Sequence, residues 1–279
     1  MKSVDFKRII NDADDLETVC RLREIEQQRK SVEKKNVMEN DHTSYVLSLN
    51  KLKFYFERQF AFSQIEVYEE IFCHNGHMEH PAFIPQDGNI ILDIGANHGY
   101  YSMKAKQHAP QCMIFALEPV PETYSVLSKN IELNHLQDIQ IFRNALSSEC
   151  GTIKLGTCPQ ITAISGLEVD IPERKGWMKK QFIHEVQVPA LSLKTFITKN
   201  NIPHIDILKL DVEGSEVEIL KSIRNLPAVV DRIVLEWHSF QLRKEILTIL
   251  KDASFEMVLE KHGEGEYYGE MYFIKGEKL

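Results

Sequence analysis

The chain has 279 residues, of which 43% are hydrophobic and 27% charged, and its formal net charge is −8. That balance fits a folded globular protein, excludes a largely disordered one, and allows one large domain or one domain with an appendage. With 41 acidic against 33 basic residues and no long Lys/Arg run, nucleic acid is a poor partner, because phosphate binding needs a basic surface. The first residues lack the apolar core of a signal peptide, and no apolar run reaches the roughly 18–20 residues of a membrane span, so no membrane association is expected. The five cysteines, Cys20, Cys73, Cys112, Cys150 and Cys158, form no CxxC pair. They read as free thiols in a reducing cytoplasm.

Residues 1–80 read as an N-terminal helical extension, and residues 81–279 as the main domain. Residues 12–40 are rich in Glu, Lys, Arg and Gln, with apolar points at Leu16, Val19, Cys20 and Leu22, and predict a polar, partly buried helix. Asn11 or Asp12 is its cap. Residues 45–72 carry Tyr45, Phe54, Tyr55, Phe56, Phe60, Phe62, Tyr68 and Phe72, a spacing that predicts helices packed on something larger. Such helices would form a lid over the site or join two copies as a homodimer.

From residue 89 short apolar runs alternate with helical stretches. Strands are predicted at 89–94, 113–117, 139–142, 151–155, 206–210 and 231–236, with helices at 100–109, 121–134, 193–200, 216–223 and 240–252. Pro110 stops the first of these helices and Pro121 opens the second. Residues 255–259 and 267–274 read as a closing antiparallel pair, and residues 160–180 as a loop or lid. The expected fold is α/β: a Rossmann-like doubly wound sheet, mostly parallel, with a C-terminal antiparallel hairpin.

Polar residues recur where these strands end: Asp93, Glu118, Asn144, Asp211 and Glu236. In doubly wound sheets ligands bind outside those ends. The first turn reads Gly95-x-x-x-Gly99, with Asn97 where a pyrophosphate fingerprint needs glycine, so the nicotinamide reading is weak. No GxxxxGK[ST] is present either, which removes a phosphate-cradling P-loop. Asp93 would repel a pyrophosphate but suits the amino group of S-adenosylmethionine, whose carboxylate suits the following helix N-terminus. Glu118 can accept both ribose hydroxyls. The bland alternatives are a turn cap for Asp93 and a helix-start charge for Glu118.

Three blocks carry a family resemblance. Asp93-Ile94-Gly95-Ala96-Asn97-His98-Gly99-Tyr100 with Ser102 is the first; Phe115-Ala116-Leu117-Glu118-Pro119 with Asn130, Asn134 and Asn144-Ala145-Leu146-Ser147 is the second. Lys209-Leu210-Asp211-Val212-Glu213-Gly214 with Leu235-Glu236-Trp237-His238 is the third. Over about residues 88–275 the chain resembles the FkbM-type methyltransferases. The resemblance implies a class I methyltransferase fold and a cofactor site of Asp93, Gly95, Ala96, Asn97, Gly99, Tyr100, Ser102, Glu118, Pro119, Asn144, Ala145 and Asp211. It also implies O-methylation of a hydroxyl on a small natural product, polyketide-type or other secondary metabolite, or on a sugar. N-methylation on the same fold is the alternative, and a catalytically silent binding scaffold is disfavoured by the retained acidic rim.

An alcohol acceptor needs a proton acceptor beside the methyl donor. His238, Asp211 and Glu213 are the catalytic candidates, with His238 as base on its ordinary pKa. A Lys209–Asp211 or Lys209–Glu213 ion pair is the structural alternative, because residues two apart share a strand face. Asp211, Glu213, Glu236 and His238 are also candidates for a magnesium or manganese site. His74, His77, His80 and His98 are weaker candidates.

Overall fold

The structure, a computed structural model, describes residues 44–57, 60–157, 184–221, 229–263 and 268–276. The polar helix expected over 12–40 and the loop expected over 160–180 lie outside them. The first described elements correct the expectation of helices over 45–72. Strands β1 (Ser44–Leu49) and β2 (Leu52–Glu57) pair antiparallel, and only then does helix α1 (Ala61–Tyr68) begin. Asn50 and Lys51 join the strands with φ of 49° and 64°, the two positive values of a tight hairpin turn. The pattern has period two: Leu47, Leu49, Leu52, Phe54 and Phe56 are buried, while Val46, Ser48, Lys51 and Lys53 are exposed. The density of aromatic residues hides this alternation. Phe54 meets Tyr68, Phe72 and Tyr100 edge-on at 5.1, 5.3 and 5.1 Å.

The alternating part of the chain follows in order: β3 (Ile90–Ile94), α2 (Tyr100–His108), β4 (Met113–Leu117), α3 (Pro121–Leu133), β5 (Ile139–Phe142) and β6 (Ala145–Ser147). Then come β7 (Gly151–Thr157), β8 (His184–Ser192), α4 (Leu193–Lys199), β9 (Ile205–Leu210), α5 (Glu216–Lys221), β10 (Val230–Trp237), α6 (Phe240–Asp252), β11 (Phe255–His262) and β12 (Gly269–Lys275). Ser192 and Ser239 cap α4 and α6, their hydroxyls accepting from the amides of Thr195 and Leu242. The main sheet has the order β11-β12-β10-β9-β3-β4-β5. Neighbours from β10 to β5 pair parallel, and β12 pairs antiparallel with both β10 and β11. This is the doubly wound α/β sheet expected, with its C-terminal antiparallel hairpin. β8, not anticipated, forms a second, three-stranded sheet between β6 and β7.

Strand residues alternate between two cores. Ile91, Ile114, Ile207, Val234 and Tyr272 face the hairpin, α1 and α2, while Leu92, Phe115, Leu208, Leu235 and Phe273 pack with residues of α4, α5 and α6. The hairpin therefore shares one core with the main sheet, and the chain near residue 80 is not a packing boundary. Polar ties reinforce this. Asn130 and Asn134 lie one turn apart on α3 and face the edge of β2. Asn130 Oδ1 accepts the Tyr55 amide (2.7 Å) and its Nδ2 donates to the His98 carbonyl (2.8 Å); Asn134 Oδ1 accepts the Lys53 amide (2.7 Å) and its Nδ2 donates to the Lys53 carbonyl (2.6 Å). Two side chains thus satisfy a strand edge as a neighbouring strand would. Among the described residues no helix is long and apolar enough to cross a membrane.

Replacing Asn130, which is fully buried, by Ala strands the His98 carbonyl and the Tyr55 amide. Asn130→Ala is expected to lower unfolding free energy in urea by about 2 kcal/mol; a loss below about 0.5 kcal/mol would contradict the role given to Asn130.

Candidate active site

The turn after β3 is fastened to β9 by a buried ammonium. Asp93 and Lys209 are register partners on adjacent strands, so their side chains share one face. Lys209 Nζ donates to the Gly95 carbonyl (2.7 Å) and lies 3.3 Å from Asp93 and 3.7 Å from Asp211. Burial pushes the Lys209 pKa down, and Asp93 and Asp211 outweigh it and hold it above its ordinary value. Asp93 is fully buried, and its Oδ2 accepts from Ser102 Oγ of α2 (2.7 Å). Gly95 has a φ of +75°, and a Cβ there would stand 1.7 Å from the Asp211 carbonyl oxygen. Only glycine lets β3 turn this close to β9.

The cleft this turn opens lies at the carboxyl ends of β3, β4 and β9. Ile94, Gly95, Asn97, Leu117, Glu118 and Pro119 line it from one side, and Asn144, Ala145, Leu146, Ile153 and Leu155 form the wall from β6 and β7. Glu118 is anchored by backbone: its Oε2 accepts the Asn97 amide (3.0 Å) and its Oε1 the Val120 amide (2.9 Å). Burial nevertheless raises its pKa to about 7, the two amides opposing that rise. Asp211, Val212, Glu213 and Ser215 complete the lining.

Beyond Asp211 the cleft borders a cluster of charge. Alternation accounts for it: Ile207, Lys209 and Asp211 share one face of the sheet, as do Val234 with Glu236 and Tyr272 with Glu270. Glu236 and Glu270 are register partners on β10 and β12, and like charges set opposite each other need compensation. Two buried histidines supply it. His77 Nδ1 is 3.0 Å from Glu270, and its Nε2 is 3.7 Å from Glu70 and 3.9 Å from Asp211. His238 Nδ1 is 3.0 Å from Glu216 Oε1, and its Nε2 is 3.4 Å from Glu213 and 3.8 Å from Glu236. Six carboxylates, on Glu70, Asp211, Glu213, Glu216, Glu236 and Glu270, thus meet two imidazoles and the Lys209 ammonium.

The pKa values follow this crowding. Burial pushes Asp211 up, but Lys209, His77 and His238 prevail and hold it below the usual carboxylate range. Burial also raises Glu236, which ends well above the ordinary value despite His238. His238 is pushed down by burial, yet Glu213, Glu216 and Glu236 lift it well above an ordinary histidine. Glu270 falls to about 2, because His77 overcomes the burial that raises it.

These positions sort the sequence candidates. Gly95, Asn97, Glu118, Pro119, Asn144, Ala145, Asp211 and Glu213 line the cleft together. Ala96, Tyr100 and Ser102 are buried in the packing behind it, and Gly99 caps α2 with a φ of +83°. Asp93 is corrected: rather than facing the cleft to meet an amino group, it is turned inward to Lys209 and Ser102. His238, expected to act as base on its ordinary pKa, instead sits among Glu213, Glu216 and Glu236, which raise its pKa against the burial that lowers it. The expected Lys209–Asp211 pair is present at 3.7 Å. His77, ranked low on its sequence spacing, belongs to the cluster; a left-handed turn (φ 62°) carries it there. His98 is buried and held neutral, its pKa pushed by burial to about 3, and His80 Nδ1 accepts the Ala82 amide. Glu70 and Glu270 went unnoticed in the sequence, and Glu216 was seen only as the end of the resembling stretch that runs from Asp206, with no role given to it; the alternation of Glu270 with Tyr272 was the one signal for Glu270.

Comparison with known proteins agrees with this architecture. The methyltransferase FkbM domain matches residues 93–257. Methyltransferase sdnD of Sordaria araneosa is 29% identical over 249 residues, covering 79% of this chain and 92% of the relative. The 31-O-demethyl-FK506 methyltransferase FkbM of Streptomyces tacrolimicus is 24% identical, covering 70% and 83%. The hexuronic acid methyltransferase AglP of Haloferax volcanii is 25% identical, covering 63% and 67%. With the family domain matched from Asp93 at the glycine turn through β10 and α6 into β11, the chain belongs to the FkbM methyltransferase family.

Proposed function

We propose that this protein transfers a methyl group from S-adenosylmethionine to a hydroxyl of a small molecule, a natural product of polyketide or other secondary type or a sugar. The observation that carries the reading is the polarity of the cleft: an amide-anchored Glu118 beside an apolar wall at one part, and Asp211 with Glu213 at another. A ribose diol suits the Glu118 carboxylate, and an adenine suits Leu146, Ile153 and Leu155. When bound, the cofactor supplies an electrophilic methyl on a sulfonium. The protein positions the acceptor and receives its proton. Asp211, lining the cleft, accepts the hydrogen bond of the acceptor hydroxyl, and a carboxylate of the Asp211–Glu213 pair receives the proton as the carbon–oxygen bond forms. The names of two relatives, specifying 31-O-demethyl-FK506 and hexuronic acid, support an oxygen acceptor. An amine acceptor is the second reading, favoured by the excess of carboxylates near the cleft. A cytoplasmic setting suits the free thiols of Cys73, Cys112 and Cys150.

Glu118 gives the binding a pH dependence whose sign is fixed. Its ionised form accepts the ribose hydroxyls, and that form is lost as pH falls through about 7. Affinity for S-adenosylhomocysteine is expected to weaken from pH 8 to pH 6, approaching about tenfold per unit below the pKa. Glu118→Gln is expected to bind weakly with no such slope. The same group acts oppositely on folding: its raised pKa contributes stability that is full below 4.5 and lost as pH rises through about 7, so acid unfolding by this group cannot mimic the effect. Equal wild-type affinity at pH 6 and pH 8 would exclude Glu118 as the ribose partner.

Transfer of radiolabelled methyl to a panel of hydroxyl and amine acceptors tests the reaction itself. Label found only on amines would overturn the oxygen reading. With a competent acceptor, His238→Ala is expected to keep S-adenosylhomocysteine binding and to slow turnover by about 10²-fold; unchanged turnover would remove His238 from the catalytic cluster.

A further inference from the structure

The histidine of this cluster is built as a ligand. His238 is 1% exposed, and its Nε2 has no hydrogen-bond partner. Its other nitrogen, Nδ1, is held 3.0 Å from Oε1 of the fully buried Glu216, and that same oxygen accepts the Gly214 amide (3.1 Å). A carboxylate fixed behind one imidazole nitrogen, with the other aimed at further carboxylates, is the arrangement that orients a metal-binding histidine. Ahead of Nε2 lie Glu213 Oε1 at 3.4 Å and Glu236 Oε2 at 3.8 Å. One ligand atom from each of Asp211, Glu213 and His238 lies within 4.8 Å of the others. Bonds of about 2.1 Å in an octahedron place adjacent ligands about 3 Å apart and opposite ones about 4.2 Å apart, so the spacing needs little adjustment. The turn that presents Glu213 is unusual too, with a φ of +50° at a residue carrying a side chain.

We propose that Asp211, Glu213 and His238 bind a divalent cation, magnesium or manganese, with Glu236 beside the site. Two carboxylates and one imidazole form a mostly oxygen donor set, which suits these hard ions; none of the three is a thiolate. On binding, the ion takes the place of the Nε2 proton, which leaves to solvent. Asp211 and Glu213 also line the cleft, so the ion sits where the acceptor hydroxyl enters. There it would lower that hydroxyl's pKa and stabilise the oxygen anion that attacks the methyl. This role rests on the oxygen-acceptor reading given above; the binding itself does not.

The test uses manganese alone, with no cofactor and no acceptor, so its failure leaves the methyl-transfer reading intact. The full chain is titrated with Mn²⁺ while the free-ion electron paramagnetic resonance signal is followed. One ion per chain is expected, displaced by excess Mg²⁺. Glu213→Gln, a same-size change at a partly exposed side chain, is expected to weaken binding at least tenfold, as is His238→Ala. Glu216→Gln, which changes the group behind the imidazole and the Gly214 amide but none of the proposed ligands, is expected to cost about 10–100-fold. Thermal melting of Glu213→Gln checks that it folds, so the result stands even where His238→Ala does not. No Mn²⁺ bound by the wild type, or binding unchanged in Glu213→Gln, would overturn the proposal. So would binding abolished by His77→Ala but not by Glu213→Gln, which would move the ion to the Glu70–His77–Glu270 group.

Discussion

The architecture of the site depends on one buried ammonium. Lys209, on the central strand β9, is 3% exposed, and a charge so placed is tolerated only with compensation close at hand. Asp93, Asp211 and the Gly95 carbonyl supply it. Each comes from a different part of the site: the end of β3, the end of β9 and the turn between β3 and α2. One side chain therefore fixes how the glycine turn stands against β9, and hence where the cleft opens. The same constraint uses up Asp93. A carboxylate held by an ammonium and a serine hydroxyl sets the shape of the turn that a ligand meets.

A second constraint acts from outside the main sheet. The N-terminal hairpin supplies Phe54 and Phe56 to the core behind α2, and its edge is held by Asn130 and Asn134. Asn130 also binds the His98 carbonyl inside the glycine turn. The segment that follows α1 then carries Glu70 and His77 to the end of the sheet, where they meet Asp211, Glu236 and Glu270. Residues 44–78 thus shape both the rear of the turn and the charged border of the cleft.

The central sheet was legible because buried parallel strands are short apolar runs punctuated by glycine and charge, and β3, β4, β9 and β10 all follow that form. The cleft lining was legible because strand ends in a doubly wound sheet converge, which brings Glu118, Asn144 and Asp211 together. The hairpin was not, since its aromatic residues satisfy helical spacing as well as period two, and the decisive Asn50-Lys51 turn lacks the glycine that usually marks one. Pairing partners were also illegible. Sequence shows that Lys209 shares a face with Asp211, but only the register of β3 against β9 brings Asp93 to it. His238 was read with an ordinary pKa because Glu213 and Glu216, more than twenty residues away in sequence, reach it only in the folded chain. His77 and Glu270 lie 193 residues apart, beyond any local pattern.

The methyl-transfer reading needs the cleft to take a sulfonium nucleoside, and Asn97 stands where a pyrophosphate fingerprint needs glycine. Titration calorimetry of the wild-type chain with S-adenosylhomocysteine and with NAD tests it directly. Stoichiometric binding of S-adenosylhomocysteine is expected, with no heat from NAD. Binding of NAD, or no binding of S-adenosylhomocysteine, would contradict it.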